Sequence, residues 1–183
     1  MTVVGTRTAE SEGYFCWDNT NCETLKLTIT GNLAANKRVE NLSRPGCYSL
    51  VISLQRKKTV GVGKLGKAEF PQGTYLYTGS ALNGLRSRLR RHLTPNKKLR
   101  WHIDYLLHLR ESRINEIFLY PATPGEECRQ NQRIAALPGA ELIVRNFGAS
   151  DCKSGCPSHL WFFRGNLAPH KIEASLRRES ITL

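Results

Sequence analysis

The sequence predicts an α/β fold of the α+β type, in which a small, mostly antiparallel sheet is flanked by helices. Two patterns lead to this fold class. Short aliphatic and aromatic runs typical of strands recur along the chain, and amphipathic segments lie between them, separated by glycine and proline clusters. With 183 residues, 40% of them hydrophobic, the chain can form one ordinary domain with an appendage.

Residues 1–44 are predicted to be a peripheral N-terminal extension, either partly disordered or packed as an edge. An acidic and aromatic stretch at 10–18 precedes a candidate strand at 25–30, in which apolar and polar residues alternate. A turn-forming cluster at 43–46 then separates the extension from the domain. The main domain is therefore expected to span residues 45–183 and to end in a C-terminal helix.

Within this domain three strands are expected first, at 47–55, 59–70 and 74–80. The second is an irregular strand or a hairpin, because glycines interrupt it. The remaining elements are expected to be helices at 83–93 and 101–109, a strand at 114–121, a helix from Thr123 to about Leu137, strands at 140–146 and 159–163, and a helix at 169–179.

The first helix is amphipathic and strongly basic. Asn83 is its candidate N-cap, and Leu85, Leu89 and Leu93 recur every four residues as one apolar stripe. From residue 83 to residue 100 the chain contains seven lysines or arginines and no acidic residue. A basic helix of this kind is either a solvated surface or a binding site for an anion.

The formal net charge is +12, and the excess lies outside the extension, because residues 1–44 contain five basic and five acidic residues. This balance indicates a polyanionic partner, nucleic acid or an anionic membrane surface. No apolar run of about 18 residues is present, so no membrane-spanning helix is expected. The first residues lack a secretory pattern and six scattered cysteines do not form a disulfide scaffold, so a cytoplasmic location is expected.

A strand, a tight turn and the basic helix together predict a phosphate site. Tyr75 and Tyr77 lie two residues apart on a strand, so their hydroxyls are expected on one face. The helix N-terminus attracts anions, and Arg88 and His92, four residues apart, share one helix face. Further nucleic-acid contacts are expected from Ser80, Asn83, Arg86, Arg90, Arg91, Lys97, Lys98 and Arg100.

These residues carry a resemblance to a known family. YTG at 77–79, followed by Arg88 and His92, resembles the second half of the GIY-YIG nuclease signature, and GCY at 46–48 stands for the first half. Together with WHIDYLL, EEC and SDCKSGCPSHL further along, residues 45–164 resemble the Uri-type GIY-YIG endonucleases. The chain departs from typical members in its Gly-Cys-Tyr motif and in the spacing of Tyr48 and Tyr77, which lie 29 positions apart and enclose VGVGKLGKAEF as an expected insertion.

The resemblance implies a GIY-YIG-like fold and hydrolysis of DNA phosphodiester bonds with one divalent ion, Mg²⁺ or Mn²⁺. Tyr48, Tyr77 and Arg88 fall on motif positions around the scissile phosphate, and His92 matches a position where the family has histidine or tyrosine. Arg88 is expected to clamp the phosphate, since a guanidinium offers planar, permanently charged donors. Either tyrosine could orient or deprotonate the attacking water.

The family's metal-holding glutamate is matched by Glu127. Its neighbour Glu126 is expected to close a capping box with Thr123 as the cap and Pro124 at the first helical position. The two glutamates then lie roughly 100° apart around the helix, which leaves Glu127 for the metal.

His102 and Asp104 lie at the front of the apolar helix WHIDYLL. By resemblance to some homing relatives, His102 is a further catalytic candidate. The alternative is a core or capping histidine that Asp104 satisfies, with Asp104 acting as an orienting partner.

Cys128, Cys152, Cys156 and His159 are residue types that bind tetrahedral zinc. Their spacing is not that of a standard zinc finger, so packed thiols are the expectation and a structural zinc site is the alternative.

Two functions remain open on the sequence. The first is a metal-dependent endonuclease acting on single- or double-stranded DNA. The second is a nucleic-acid-binding module that uses the same basic helix and does not cleave. Docking of this helix on anionic lipid is disfavoured, because it lacks the large exposed apolar face that such binding needs.

Overall fold

The computed structural model describes residues 25–28, 42–165 and 172. The described strands are β1 (Leu25–Thr28), β2 (Gly46–Leu54), β3 (Lys58–Gly61), β4 (Lys67–Phe70), β5 (Gly73–Ala81), β6 (Ser112–Pro121) and β7 (Leu160–Phe163). The described helices are α1 (Leu85–Leu93), α2 (His102–Leu107) and α3 (Glu126–Ala135), with a 3₁₀ turn at Gly63–Leu65.

Five strands form one sheet in the order β1-β6-β2-β5-β7, and each pair of neighbours is antiparallel. The predicted fold class, an antiparallel sheet with flanking helices, is confirmed. The extension contributes the edge strand β1, and residues 29–30 of the expected strand lie outside the described residues. The segment predicted to be an insertion forms the separate hairpin β3–β4 between β2 and β5.

Side chains alternate across this sheet and bury two cores. On one face, strand residues such as Leu50 and Ile52 pack with Leu85 and Leu89 of α1 and with Ile103 of α2. The opposite face buries a smaller cluster that includes Phe118, Trp161 and, from α3, Ile134. The sheet is therefore a middle layer, with α1 and α2 on one side and α3 on the other.

The predicted strand at 140–146 is wrong. Only Glu141 pairs, as an isolated bridge with Phe162 on β7, and the chain then turns. The apolar side chains that suggested a strand are used for packing instead: Leu142 contacts one core, and Ile143 and Val144 contact the other. Apolar side chains that pack into the cores on both faces of the sheet give the same sequence pattern as a buried strand.

The cap predicted for the first helix is also wrong. Gly84, with φ 102°, is the N-cap of α1, and no side chain caps it. The N–H groups of Leu85 and Arg86 instead donate to the carbonyls of Arg44 and Leu42, at 3.0 and 2.7 Å. The segment before β2 therefore occupies the helix end where a phosphate was expected.

The third helix begins later than predicted, at Glu126, with Gly125 as N-cap at φ 75° and no side-chain cap. Thr123 donates to the Glu126 carboxylate at 2.8 Å instead of capping the helix backbone. The helix ends at Ala135, two residues before the expected end.

The predicted C-terminal helix at 169–179 lies outside the described residues except for Ile172, which is helical and packs into the smaller core. The acidic and aromatic stretch at 10–18 also lies outside them. Among the described helices, none combines the length and the apolar character needed to cross a bilayer.

Candidate active site

A cleft of about 790 Å³ opens beside the ends of β2 and β5. It is lined by residues from both strands, from α1 and α2, and from the first turn of α3. All six residues predicted to be catalytic line it: Tyr48, Tyr77, Arg88, His92, His102 and Glu127. Five separate elements thus bring their polar side chains to one cavity.

The two tyrosines predicted to be catalytic lie side by side on neighbouring strands. Tyr48 on β2 is opposite Gly79 on β5, and the rings of Tyr48 and Tyr77 have centroids 6.4 Å apart. A Cβ at position 79 would lie 2.5 Å from the Tyr48 hydroxyl. The glycine two residues after Tyr77 is therefore required because the Tyr48 ring occupies the space of its missing side chain.

Tyr48 is hydrogen-bonded to His92 of α1, with 2.7 Å between its hydroxyl and Nε2. His92 is buried, and burial, followed by the positive charge of Lys97, lowers its pKa to about 3. Burial, and secondarily Tyr77, raises the pKa of Tyr48 well above its usual value. At neutral pH the phenol and the imidazole are therefore both uncharged.

Arg88 reaches the cleft from α1 and lies over the ring of Trp101, with Cζ 4.0 Å from the ring centroid. A guanidinium stacked on indole is held in place while its N–H donors stay available at its edge. Arg88 makes no hydrogen bond or ion pair with another described residue. Its charge opposes the burial effect on both Tyr48 and Tyr77.

Asp104 is fully buried, and it organises the segment between α1 and α2. Its carboxylate accepts hydrogen bonds from Arg91 at 2.6 Å and from the backbone N–H groups of Arg100 and Trp101 at 2.9 and 3.1 Å. Burial raises the pKa of Asp104, but these hydrogen bonds outweigh it and hold the pKa below its usual range. Lys97 lies 3.7 Å away and donates to two carbonyls at the end of α1.

The alternative pairing of His102 with Asp104 is wrong. His102 Nδ1 accepts a hydrogen bond from the backbone N–H of Gly148 at 3.1 Å. Burial lowers the pKa of His102. The imidazole lies on the cleft wall, tied to the turn segment that follows α3 rather than to its own helix.

The residues expected to contact nucleic acid fall into two groups. Arg91 and Lys97 are committed to Asp104 and to the end of α1, so their charges are already paired. The others lie at the surface or on the cleft wall: Ser80 lines the cleft, Arg86 is half-buried, and Asn83, Arg90, Lys98 and Arg100 are exposed.

The two neighbouring glutamates have different surroundings. Glu126 is buried and bonds to Thr123, Arg129 and Gln130. Glu127 faces the cleft, where its Oε1 lies 3.0 Å from His159 Nδ1. Burial raises the pKa of Glu127, but hydrogen bonds from His159 and Ser80 outweigh it and hold the pKa below its usual value.

Glu127 suits a magnesium ion by its donor chemistry. A carboxylate beside the Ser80 hydroxyl offers hard oxygen donors, and the open cleft leaves room for the water ligands that Mg²⁺ prefers to keep. His159 holds the carboxylate in place from the protein side. Sequence reasoning assigned His159 only to zinc and missed this contact, because the two residues are 32 positions apart.

Cys128, Cys152, Cys156 and His159 converge as a potential metal-binding cluster. One ligand atom from each lies within 4.8 Å of the others, and the sulfurs of Cys128 and Cys152 are 3.6 Å apart. Cys128 is in the first turn of α3, and His159 immediately precedes β7. The cluster therefore adjoins the cleft on the side of Glu127.

A family model described as "Domain of unknown function DUF123" matches residues 47–180. The match includes every residue predicted to be catalytic. No curated protein and no solved structure matches the chain.

Proposed function

The chain belongs to the DUF123 family, and we propose that it is a metal-dependent endonuclease of the GIY-YIG, Uri-like type that hydrolyses DNA phosphodiester bonds. One observation carries this proposal: Tyr48, Tyr77, Arg88, His92 and Glu127, which are remote in sequence, line a single cleft. The ordered motifs that resemble the Uri-type nucleases supply the same five residues.

The cleft has the parts needed to bind an anionic phosphodiester. Arg88 presents a fixed guanidinium whose donors are not used by other described residues, and a charged planar donor suits phosphate oxygens. The exposed cations Arg90, Lys98 and Arg100 extend the positive surface along the same segment. DNA would therefore lie along α1 and the loop after it, with one phosphate in the cleft.

The two tyrosines would have different roles. Burial raises the pKa of both phenols, so each enters the reaction protonated and can donate a hydrogen bond. The Tyr48 hydroxyl is bonded to His92, which gives its proton an acceptor, whereas the Tyr77 hydroxyl has no hydrogen-bond partner among the described residues. Tyr48 would activate the water, and Tyr77 would orient the phosphate.

His92 becomes a better proton acceptor once substrate binds. In the free protein, burial and nearby positive charges keep its pKa low. A bound phosphate brings negative charge next to the imidazole, which favours its protonated form. The Tyr48–His92 pair would then accept the proton that leaves the attacking water.

Glu127 would hold a Mg²⁺ or Mn²⁺ ion, with His159 fixing the carboxylate. When bound, such an ion supplies electrostatic stabilisation of the leaving 3′ oxygen. Glu126 is excluded from this role because its carboxylate bonds to Thr123, Arg129 and Gln130 away from solvent.

The test is DNA cleavage by the purified protein. Supercoiled plasmid and single-stranded DNA are incubated with Mg²⁺, with Mn²⁺ and with EDTA, and nicking is expected only with a divalent ion. Arg88→Ala and Glu127→Gln are each expected to lower the single-turnover rate by about 100-fold or more. The matched controls are Arg110→Ala, an exposed arginine that does not line the cleft, and Glu69→Gln, an exposed glutamate paired with Lys57.

Cleavage that survives both Arg88→Ala and Glu127→Gln, with folding verified by circular dichroism, would contradict the proposed site. The exposed cations also favour a second candidate, a non-cleaving nucleic-acid-binding module. That candidate predicts DNA binding that weakens steeply with salt, without nicking in any divalent ion.

A further inference from the structure

We propose that Cys128, Cys152, Cys156 and His159 bind one structural zinc ion. This site is distinct from the magnesium position at Glu127 and does not depend on the proposed endonuclease activity. Three thiols and one imidazole are soft and borderline ligands that suit zinc, whereas Mg²⁺ prefers oxygen.

The positions of the ligand atoms are close to those of a tetrahedral shell. With Zn–S near 2.3 Å and Zn–N near 2.0 Å, the ligand atoms of a tetrahedral shell of three sulfurs and one nitrogen lie about 3.5–3.8 Å apart. The sulfurs of Cys128 and Cys152 are 3.6 Å apart, and the full set lies within 4.8 Å. Small side-chain rotations would therefore complete the shell without moving the backbone.

His159 is oriented as a zinc ligand. Its Nδ1 lies 3.0 Å from Glu127 Oε1, while its buried Nε2 makes no hydrogen bond of standard geometry and Cys152 is a neighbour of the ring. Histidines that bind zinc commonly donate their other N–H to a carboxylate, which fixes the tautomer. The Nε2 of this 3% exposed side chain is the atom left to face the thiols.

The fold explains why the spacing does not match a standard zinc finger. Cys128 comes from α3, Cys152 and Cys156 come from the turns that follow, and His159 leads into β7. Zinc would tie these turns to the helix, in a segment with little regular secondary structure. Such a site contributes directly to folding free energy.

A disulfide accounts for the cluster less well than a zinc ion does. The cysteines are free thiols, and 3.6 Å between Cys128 and Cys152 is far longer than an S–S bond of about 2.05 Å. A disulfide between those two would leave Cys156 and the Nε2 of His159 without a role.

The experiment measures zinc in the full-length protein, purified without chelator and without a metal-binding tag. Elemental mass spectrometry is expected to find about one zinc per chain in the wild type. The zinc content of Cys152→Ser and of Cys156→Ser is expected to be at least five-fold lower. Cys47→Ser is the matched control, because Cys47 is buried beside the cleft but outside the cluster, and it is expected to keep its zinc.

Because the cysteine variants can fail to fold, a second measurement uses the wild type alone. Replacement of zinc by Co²⁺ is expected to give thiolate-to-cobalt charge-transfer absorption and the intense visible bands of a tetrahedral site. A folded, fully reduced wild type that contains less than a tenth of a zinc per chain and takes up no Co²⁺ would overturn the proposal. An intact Cys128–Cys152 disulfide under the same conditions would overturn it too.

Glu127→Gln tests the contact that orients His159, whereas the wild type separates the zinc site from the proposed function. This variant keeps all four zinc ligands and alters only the partner of His159, so we expect about 10–100-fold weaker zinc affinity in a chelator competition. If the wild type binds zinc but does not cleave DNA, the endonuclease proposal is contradicted and the zinc site is still supported. Unchanged zinc affinity in Glu127→Gln would refute the orienting contact.

Discussion

The hydroxyl of Tyr48 lies 2.7 Å from Nε2 of His92, which joins the second strand of the sheet to the first helix inside the cleft. Both side chains are almost fully buried, and they meet as uncharged partners. The pair gives the cleft a proton donor and a proton acceptor in direct contact. Its chemistry and its stability can be tested separately.

Tyr48→Phe should remove the hydrogen bond while keeping the ring. We expect single-turnover cleavage to fall by about 100-fold or more, since general acid–base partners contribute about 10²–10⁴-fold. Stability should fall by only about 1 kcal/mol, the usual net value of a buried neutral hydrogen bond. Cleavage assays and urea unfolding measure the two effects.

Tyr75→Phe is the matched control for that variant. Tyr75 lies on the same face of the sheet, but its hydroxyl donates to the Pro71 carbonyl, outside the cleft. It should lose a similar stability of about 1 kcal/mol with no change in cleavage. Equal rate losses in Tyr48→Phe and Tyr75→Phe would argue against a catalytic Tyr48.

Gly79→Ala should disturb the Tyr48 ring. The added Cβ would lie 2.5 Å from the Tyr48 hydroxyl, so the ring must move, at a cost of about 1–3 kcal/mol. Cleavage should fall together with stability. Gly61→Ala on the hairpin is the control, because a Cβ there meets nothing within 4 Å, and it should leave both quantities unchanged.

The neighbouring arginines of α1 should respond differently to alanine. Arg91→Ala leaves the buried Asp104 carboxylate without its 2.6 Å partner and should destabilise the protein by about 3 kcal/mol or more. Arg90→Ala should change stability by less than about 0.5 kcal/mol. Instead it should lower the slope of log affinity for DNA against log salt by about one, measured by fluorescence anisotropy.

Acid should destabilise the protein through His92. Its pKa is about 3 in the folded protein and near 6.5 in the unfolded chain, so below pH 6.5 only the unfolded chain binds a proton there. Stability should therefore fall as pH drops, by up to about 1.4 kcal/mol per unit from this group, and no such loss should occur above pH 6.5. Urea unfolding at pH 7.5, 6 and 5 measures the slope.

His92→Gln should remove this part of the slope. Asp104 and Glu127 have lowered pKa values and lose their stabilising charge only at more acidic pH, so they do not contribute in this window. The proposed zinc site would be equally acid-sensitive in both proteins and cancels in the comparison. An identical slope in the wild type and His92→Gln would show that His92 is protonated in the folded protein.

Where the signal was local, the sequence predicted which residues lie together in the cleft. Tyr77 and Gly79 lie on β5 and Arg88 lies on α1, with only residues 82–84 between the two elements, so their spacing alone places them near each other. Tyr48 was harder to place, because it lies 29 positions before Tyr77. The hairpin β3–β4 takes up that length on its own and leaves the two strands in register.

Long-range partners could not be predicted from residue type. Arg91 and Lys97 look like surface cations in sequence, and only the fold shows that a buried carboxylate at position 104 holds both. Asn83 has a good capping side chain, yet backbone carbonyls from the segment before β2 reach the helix end first. The local sequence does not show that a distant segment will occupy the N–H groups at the start of the helix.

The antiparallel pairing of β1 with β6, from Leu25 opposite Leu119 to Thr28 opposite Glu116, has a practical consequence for protein production. A shortened version that begins at residue 47, where the family match starts, would lack β1 and would expose the backbone hydrogen-bonding groups along one side of β6. An uncovered strand of that kind invites pairing between molecules and precipitation. The N-terminal stretch therefore protects the sheet against self-association.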